Sequence, residues 1–160
     1  MGYSGLVVIA RTGDTRLDDL ACIEDLLVVA RGDLRVGGWR IGLLGQNDDT
    51  SPGRLAADLA LETASPAIAM WVVDSDCAFA VAEHLSGERV EFYLNEEIVK
   101  DLAGDDFEPL NSEAVAGLIR WAGGGDPDRL AAALEESPGP FGDGIYGFAE
   151  ALGIGPLSPS

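Results

Sequence analysis

The sequence predicts an α+β domain: a mixed, mostly antiparallel sheet of about five strands, in the order β-α-β-α-β-β-β, followed by three or four short C-terminal helices. Three observations carry this. Short apolar runs rich in branched residues recur through the first two thirds of the chain, as in "GLVVIAR" and "PAIAMWVV". Capped stretches of helical spacing fill the last third, as in "NSEAVAGLIRWAGGG" and "DPDRLAAALEE". Between them, "CAFAVAEHLSGERVEFYLN" reads as two strands about a tight turn.

Taken in order, Ser4 to Arg11 is the first strand. Thr15 can cap a helix, with Asp18 three residues on and Leu17, Leu20, Ala21 and Glu24 at helical spacing. Leu26 to Ala30 fits either a helix tail or a short strand. Leu34 to Gly45 reads as a strand bent or bulged at Gly37-Gly38. Ser51 caps the next helix, with Pro52 at its first position, and Ser65-Pro66 ends it. Pro66 to Val73 is a near-continuous apolar strand of the kind buried on both faces. A crossover helix therefore joins the second strand to the third. Glu96 to Gly104 is a short helix. Asn111 or Ser112 caps the next, Asp126 and Pro127 open another, and Ile145 to Gly153 is the last. The expected organisation is a single domain over 1–153 and a flexible tail over 154–160.

Twenty-eight acidic side chains against ten basic ones leave a net charge of −18. Such a field repels phosphate backbones, so neither nucleic acid nor an anionic membrane is an expected partner, and a basic protein is. No apolar run reaches the roughly 20 residues that span a bilayer. The first residues lack the basic and apolar regions of a signal peptide, so a cytoplasmic location is expected, with Cys22 and Cys77 as reduced packing residues. In that compartment "RGD", Arg31 to Asp33, reads as a turn. Arginine in preference to lysine, with abundant alanine and glycine, points to a high-GC bacterial genome.

Candidate sites come from the middle of the chain. If Ser86-Gly87 is a two-residue loop, Leu85 stands opposite Glu88, Val81 opposite Phe92, and Phe79 opposite Leu94. The other face then carries Ala78, Ala80 and Ala82 beside His84, Arg89, Glu91 and Tyr93, with His84 facing Arg89. That face is either covered by a helix or is the floor of a ligand groove lined by the four polar residues. Cys77 and the single histidine, His84, are seven apart on one strand and fall on opposite faces about 23 Å apart, which rules out a nucleophilic dyad. Asp74 and Asp76 form a D-x-D pair that can hold a divalent metal, although a turn accounts for it more simply. No G-x-S-x-G elbow, Walker lysine or G-x-G-x-x-G loop is present, so no catalytic residue and no cofactor is expected. Trp71, Phe79 and Phe92 fit the core, whereas Trp39, Phe107 and Trp121 are candidates for the surface.

The function expected is that of a small acidic protein-binding module, of immunity, antitoxin or regulatory type, that meets a basic partner by complementary charge. The predicted contact is the stretch Asp105, Asp106, Phe107 and Glu108, with Phe107 as anchor, and then Asp48 and Asp49. The alternative is a small-molecule-binding protein or enzyme using the 77–94 hairpin face, or a metal at Asp74 and Asp76.

Overall fold

A computed structural model describes residues 3–13, 15–24, 26, 28–33, 38–45, 49–139 and 143–154. Its strands are β1 (Gly5–Arg11), β2 (Val28–Asp33), β3 (Trp39–Leu44), β4 (Ala67–Val73), β5 (Cys77–Glu83) and β6 (Arg89–Leu94). Its helices are α1 (Pro52–Thr63), α2 (Glu96–Ala103), α3 (Asn111–Ala122), α4 (Pro127–Leu134) and α5 (Asp143–Ala151). The α+β class and the C-terminal gathering of helices are as the sequence predicts.

The strands form one sheet in the order β2-β3-β1-β4-β5-β6, and every neighbouring pair is antiparallel. The strand beyond the expected five is β2, from the segment whose apolar run fits either structure. The "RGD" residues lie within β2 rather than in a turn. Gly38 precedes β3, and Gly37 falls outside the described residues. Since β3 and β4 both run antiparallel to β1, they run parallel to each other with β1 between them. The crossover helix α1 joins them as a split β-α-β unit, and since no described neighbouring pair is parallel the sheet is antiparallel rather than mixed.

Burial follows from this order. Central β1 is buried on both faces from Leu6 to Ala10. One face packs Val7, Ile9, Ile41, Ile68, Met70, Ala80 and Phe92 under α3, α4 and α5, through Leu118, Trp121, Leu130 and Phe148. The other packs Leu6, Val8, Ala69 and Val81 under α1, through Leu55, Ala56 and Leu59, with Leu17, Leu20 and Ile23 alongside. The chain is thus three layers deep, with helices on both sides of the sheet. Trp39 and Trp121, candidates for the surface, are buried with ring centroids 5.8 Å apart, and the Trp121 indole donates to the Glu83 carbonyl at 2.9 Å.

Local signals explain most element ends. The Ser51 hydroxyl accepts from the Arg54 amide at 3.3 Å, and the Asp126 carboxylate from Asp128 and Arg129 at 3.0 and 3.4 Å. The helix expected from Thr15 is replaced by a 3₁₀ turn at Leu17–Asp19 and further i→i+3 turns as far as Leu26. Leu17, Leu20 and Ile23 recur every third residue, which lines up on a 3₁₀ rather than an α period. Ile154 is buried, and its amide donates to the Ala149 carbonyl at 3.1 Å; residues 155–160 lie outside the described residues.

Candidate functional site

The hairpin between β5 and β6 decides which side chains meet. Its loop is Leu85-Ser86-Gly87, one residue longer than expected. The His84 amide donates to the Glu88 carbonyl at 2.9 Å, and the Gly87 amide to the His84 carbonyl at 2.9 Å. Gly87 has φ +88°, the left-handed position that a three-residue hairpin reserves for glycine. The register moves by one, so Glu83 faces Arg89, Val81 faces Glu91, and Phe79 faces Tyr93. A one-residue slip regroups the two faces.

The expected groove is therefore not assembled. Ala78, Ala80 and Ala82 stand opposite Leu94, Phe92 and Val90 and form the bed of the α3–α5 layer. The helix comes close: a Cβ at Gly117 of α3 would reach 3.0 Å from Val90 Cγ2. Arg89, Glu91 and Tyr93 share the opposite face. His84 does not oppose Arg89 but sits in the turn, with Nδ1 3.1 Å from the Ser86 hydroxyl. Arg89 donates to the Glu83 carboxylate at 2.8 Å and to the Gly53 carbonyl of α1 at 3.3 Å.

Asp74 and Asp76 flank a tight turn between β4 and β5. Asp74 and Ser75 have φ of +52° and +58°, and the Asp76 amide closes the turn on the Val73 carbonyl at 3.0 Å. Ser75 is the residue that anchors it: its hydroxyl accepts from the Tyr3 amide at 2.6 Å, and its carbonyl from Gly139 at 3.1 Å. Both aspartates are exposed, and among the described residues no group of three His, Cys, Asp or Glu is placed to hold a metal ion. Cys22 lies beside Glu62, whose carboxylate accepts the Ala21 and Cys22 amides at 2.6 and 3.0 Å. Burial, then the hydrogen bond and charge of Glu62, push the Cys22 thiol up to about 12, so it stays protonated and a poor nucleophile.

The arm from Asn95 to Asn111 wraps the outer edge of β6 and brings the predicted contact residues into place. The Asn111 side chain imitates a neighbouring strand: its amide donates to the Tyr93 carbonyl at 2.9 Å and its oxygen accepts the Tyr93 amide at 2.8 Å. It is thus occupied and does not cap α3. Glu96 of α2 takes that role, its carboxylate accepting the Leu110 and Asn111 amides at 3.1 Å each. Phe107 is thereby set 5.9 Å from the Tyr93 ring, and Tyr93 5.9 Å from Phe79. Phe79 is the cross-strand neighbour of Trp71. Trp71, Phe79, Tyr93 and Phe107 therefore form one row across three strands and the arm. Each is only half-buried, with Trp71 and Phe79 at the border of the cluster that α1 covers.

The row lies in a negative field. Asp105, Asp106, Glu108 and Glu91 are exposed around it, and the Tyr93 hydroxyl donates to the Glu108 carbonyl at 3.1 Å. Burial, and then the charges of Glu108, Glu96 and Glu91, raise the Tyr93 phenol above its usual value. Behind Phe107, a cleft of about 870 Å³ runs between α2, α3 and α4, with Phe107, Val115 and Leu134 on its walls and Glu97, Lys100 and Glu135 at its rim. Asp49 is exposed well along the chain from this arm, and Asp48 falls outside the described residues. Sequence reasoning named Phe107 but missed the row, because the assumed loop put Phe79 and Tyr93 on opposite faces. Period-two alternation combined with a three-residue loop would have joined them.

The fold and site together define a class: a three-layer α+β domain, strongly acidic, with a half-buried aromatic row as its most distinctive surface. No family model, curated protein or solved structure matches the chain. No described helix is long and apolar enough to cross a membrane.

Proposed function

We propose that this chain is a protein-binding module of immunity, antitoxin or regulatory type, acting in a bacterial cytoplasm on a basic protein partner. One observation carries the reading: exposed Asp105, Asp106 and Glu108 flank half-buried Phe107 along the chain, at the end of an aromatic row. Aromatic anchors ringed by polar groups are where interface energy concentrates, and complementary charge speeds the encounter. A net charge of −18 selects for basic partners and against nucleic acid. The tagged protein, purified from its host at physiological salt, is expected to carry a basic protein at fixed stoichiometry by light scattering. Neutralising Asp105, Asp106 and Glu108 as the amides should weaken that complex. Purification without any partner, or a complex indifferent to those changes, argues against the reading. The cleft behind Phe107 supports a second reading, a small cationic ligand, which native mass spectrometry would reveal as a bound mass.

A further inference from the structure

We propose that the row of Trp71, Phe79, Tyr93 and Phe107 docks an extended, arginine-bearing segment of the basic partner, with guanidinium planes on the rings and Glu91 and Glu108 as their counter-charges. This rests on the protein-binding reading and names its contact and its chemistry.

The argument is one of shape and charge together. The rings stand on β4, β5, β6 and the arm, with centroid steps of 5.9 Å between Phe79 and Tyr93 and 5.9 Å between Tyr93 and Phe107. Same-side residues of an extended segment are about 6.6 Å apart, close to that step. Exposed aromatic faces attract cations through their quadrupole, and carboxylates beside the rings add to that attraction. Glu91 extends from the same sheet face as Tyr93, and Glu108 follows Phe107 directly, so both carboxylates border the rings. Arginine fits such a place better than lysine, because its flat, weakly hydrated group can stack and pair at once. The apolar border continues into solvent at Val73, which follows Trp71 by two residues on the same strand face and is 40% exposed. The α3–α5 face offers no equivalent, since helices cover its aromatics.

The test uses the full chain, labelled with ¹⁵N, and three short peptides: alternating Gly-Arg, alternating Gly-Lys, and a neutral Gly-citrulline control, at physiological salt. Saturable shifts are expected at the Trp71 indole and the Phe79, Tyr93 and Phe107 amides with the arginine peptide. The lysine peptide should bind about two- to fivefold more weakly, and the control not at all. The Glu91→Gln/Glu108→Gln variant, altered only at exposed positions, should weaken the arginine peptide by a similar factor, as should Phe107→Leu. Equal affinity for both cationic peptides, unchanged in the variants, would overturn the docking face while leaving a basic partner in place. Absence of shifts with either cationic peptide overturns it as well, and the partner reading then rests on its own purification experiment.

Discussion

The two faces of the β5–β6 hairpin differ in what covers them. On one, Ala78, Ala80 and Ala82 oppose Leu94, Phe92 and Val90, and three helices seal the surface. On the other, Phe79 and Tyr93 oppose each other and stay half-exposed, Phe79 at the border of the cluster under α1. Alanines at 78, 80 and 82 leave room for the helix layer, whereas the rings of Phe79 and Tyr93 keep part of their surface in solvent. The sealed face resembles an interior, packed to crystal-like density. The other has the composition of an interface, with aromatic rings bordered by carboxylates. Strand alternation puts these two environments one residue apart.

The comparison can be broken most sharply by truncating one ring on each face. Phe92→Ala should cost about 3–5 kcal/mol in urea unfolding, because a sealed core leaves a cavity. Phe107→Ala should cost less, roughly 1–2 kcal/mol, because a half-exposed ring has less area to lose. Equal losses would mean that the row is core after all. Asn111→Ala comes next: it leaves the Tyr93 amide and carbonyl without their side-chain partner and should cost about 1–3 kcal/mol. Faster hydrogen exchange at the Tyr93 amide would identify the cause as a loosened edge.

The smallest effect concerns titration. The Tyr3 phenol is pushed up to about 12 by burial, and the Cys22 thiol to about 12 by burial and by Glu62. Both are raised in the folded state, so the folded chain holds these protons more tightly than the unfolded one. Stability is therefore full below about pH 9 and falls between about pH 9 and 12. Thermal melts across that window should show the fall. Cys22 should also react slowly with a disulfide reagent at pH 8, and Glu62→Gln should speed it up. A fast wild-type reaction would contradict the Cys22 environment.

Legibility varied with the range of the interaction. Caps and terminators for α1 and α4 could be read because Ser51, Pro52, Asp126 and Pro127 act within one turn of themselves. The α3 start was also legible near Asn111, but its capping group was not, since that is Glu96, fourteen residues upstream of Leu110. The acidic contact stretch was legible by composition, and Phe107 within it, but the rings it joins were not. In the Thr15 segment the distinguishing signal was the three-residue period of Leu17, Leu20 and Ile23, which fits 3₁₀ turns rather than an α-helix.

By itself the sequence determined the class of fold, the gathering of helices at the C-terminal end, the acidity and the separation of Cys77 from His84, because these depend on composition, periodicity and distance along a single strand. Tertiary structure alone decided the order of strands in the sheet, the partner of each β5 residue, and which faces the helices seal. Pairing register hangs on one loop residue, Gly87, and helix coverage on packing between elements distant in sequence. Local preference constrains neither, so the aromatic row became visible only once the chain was folded.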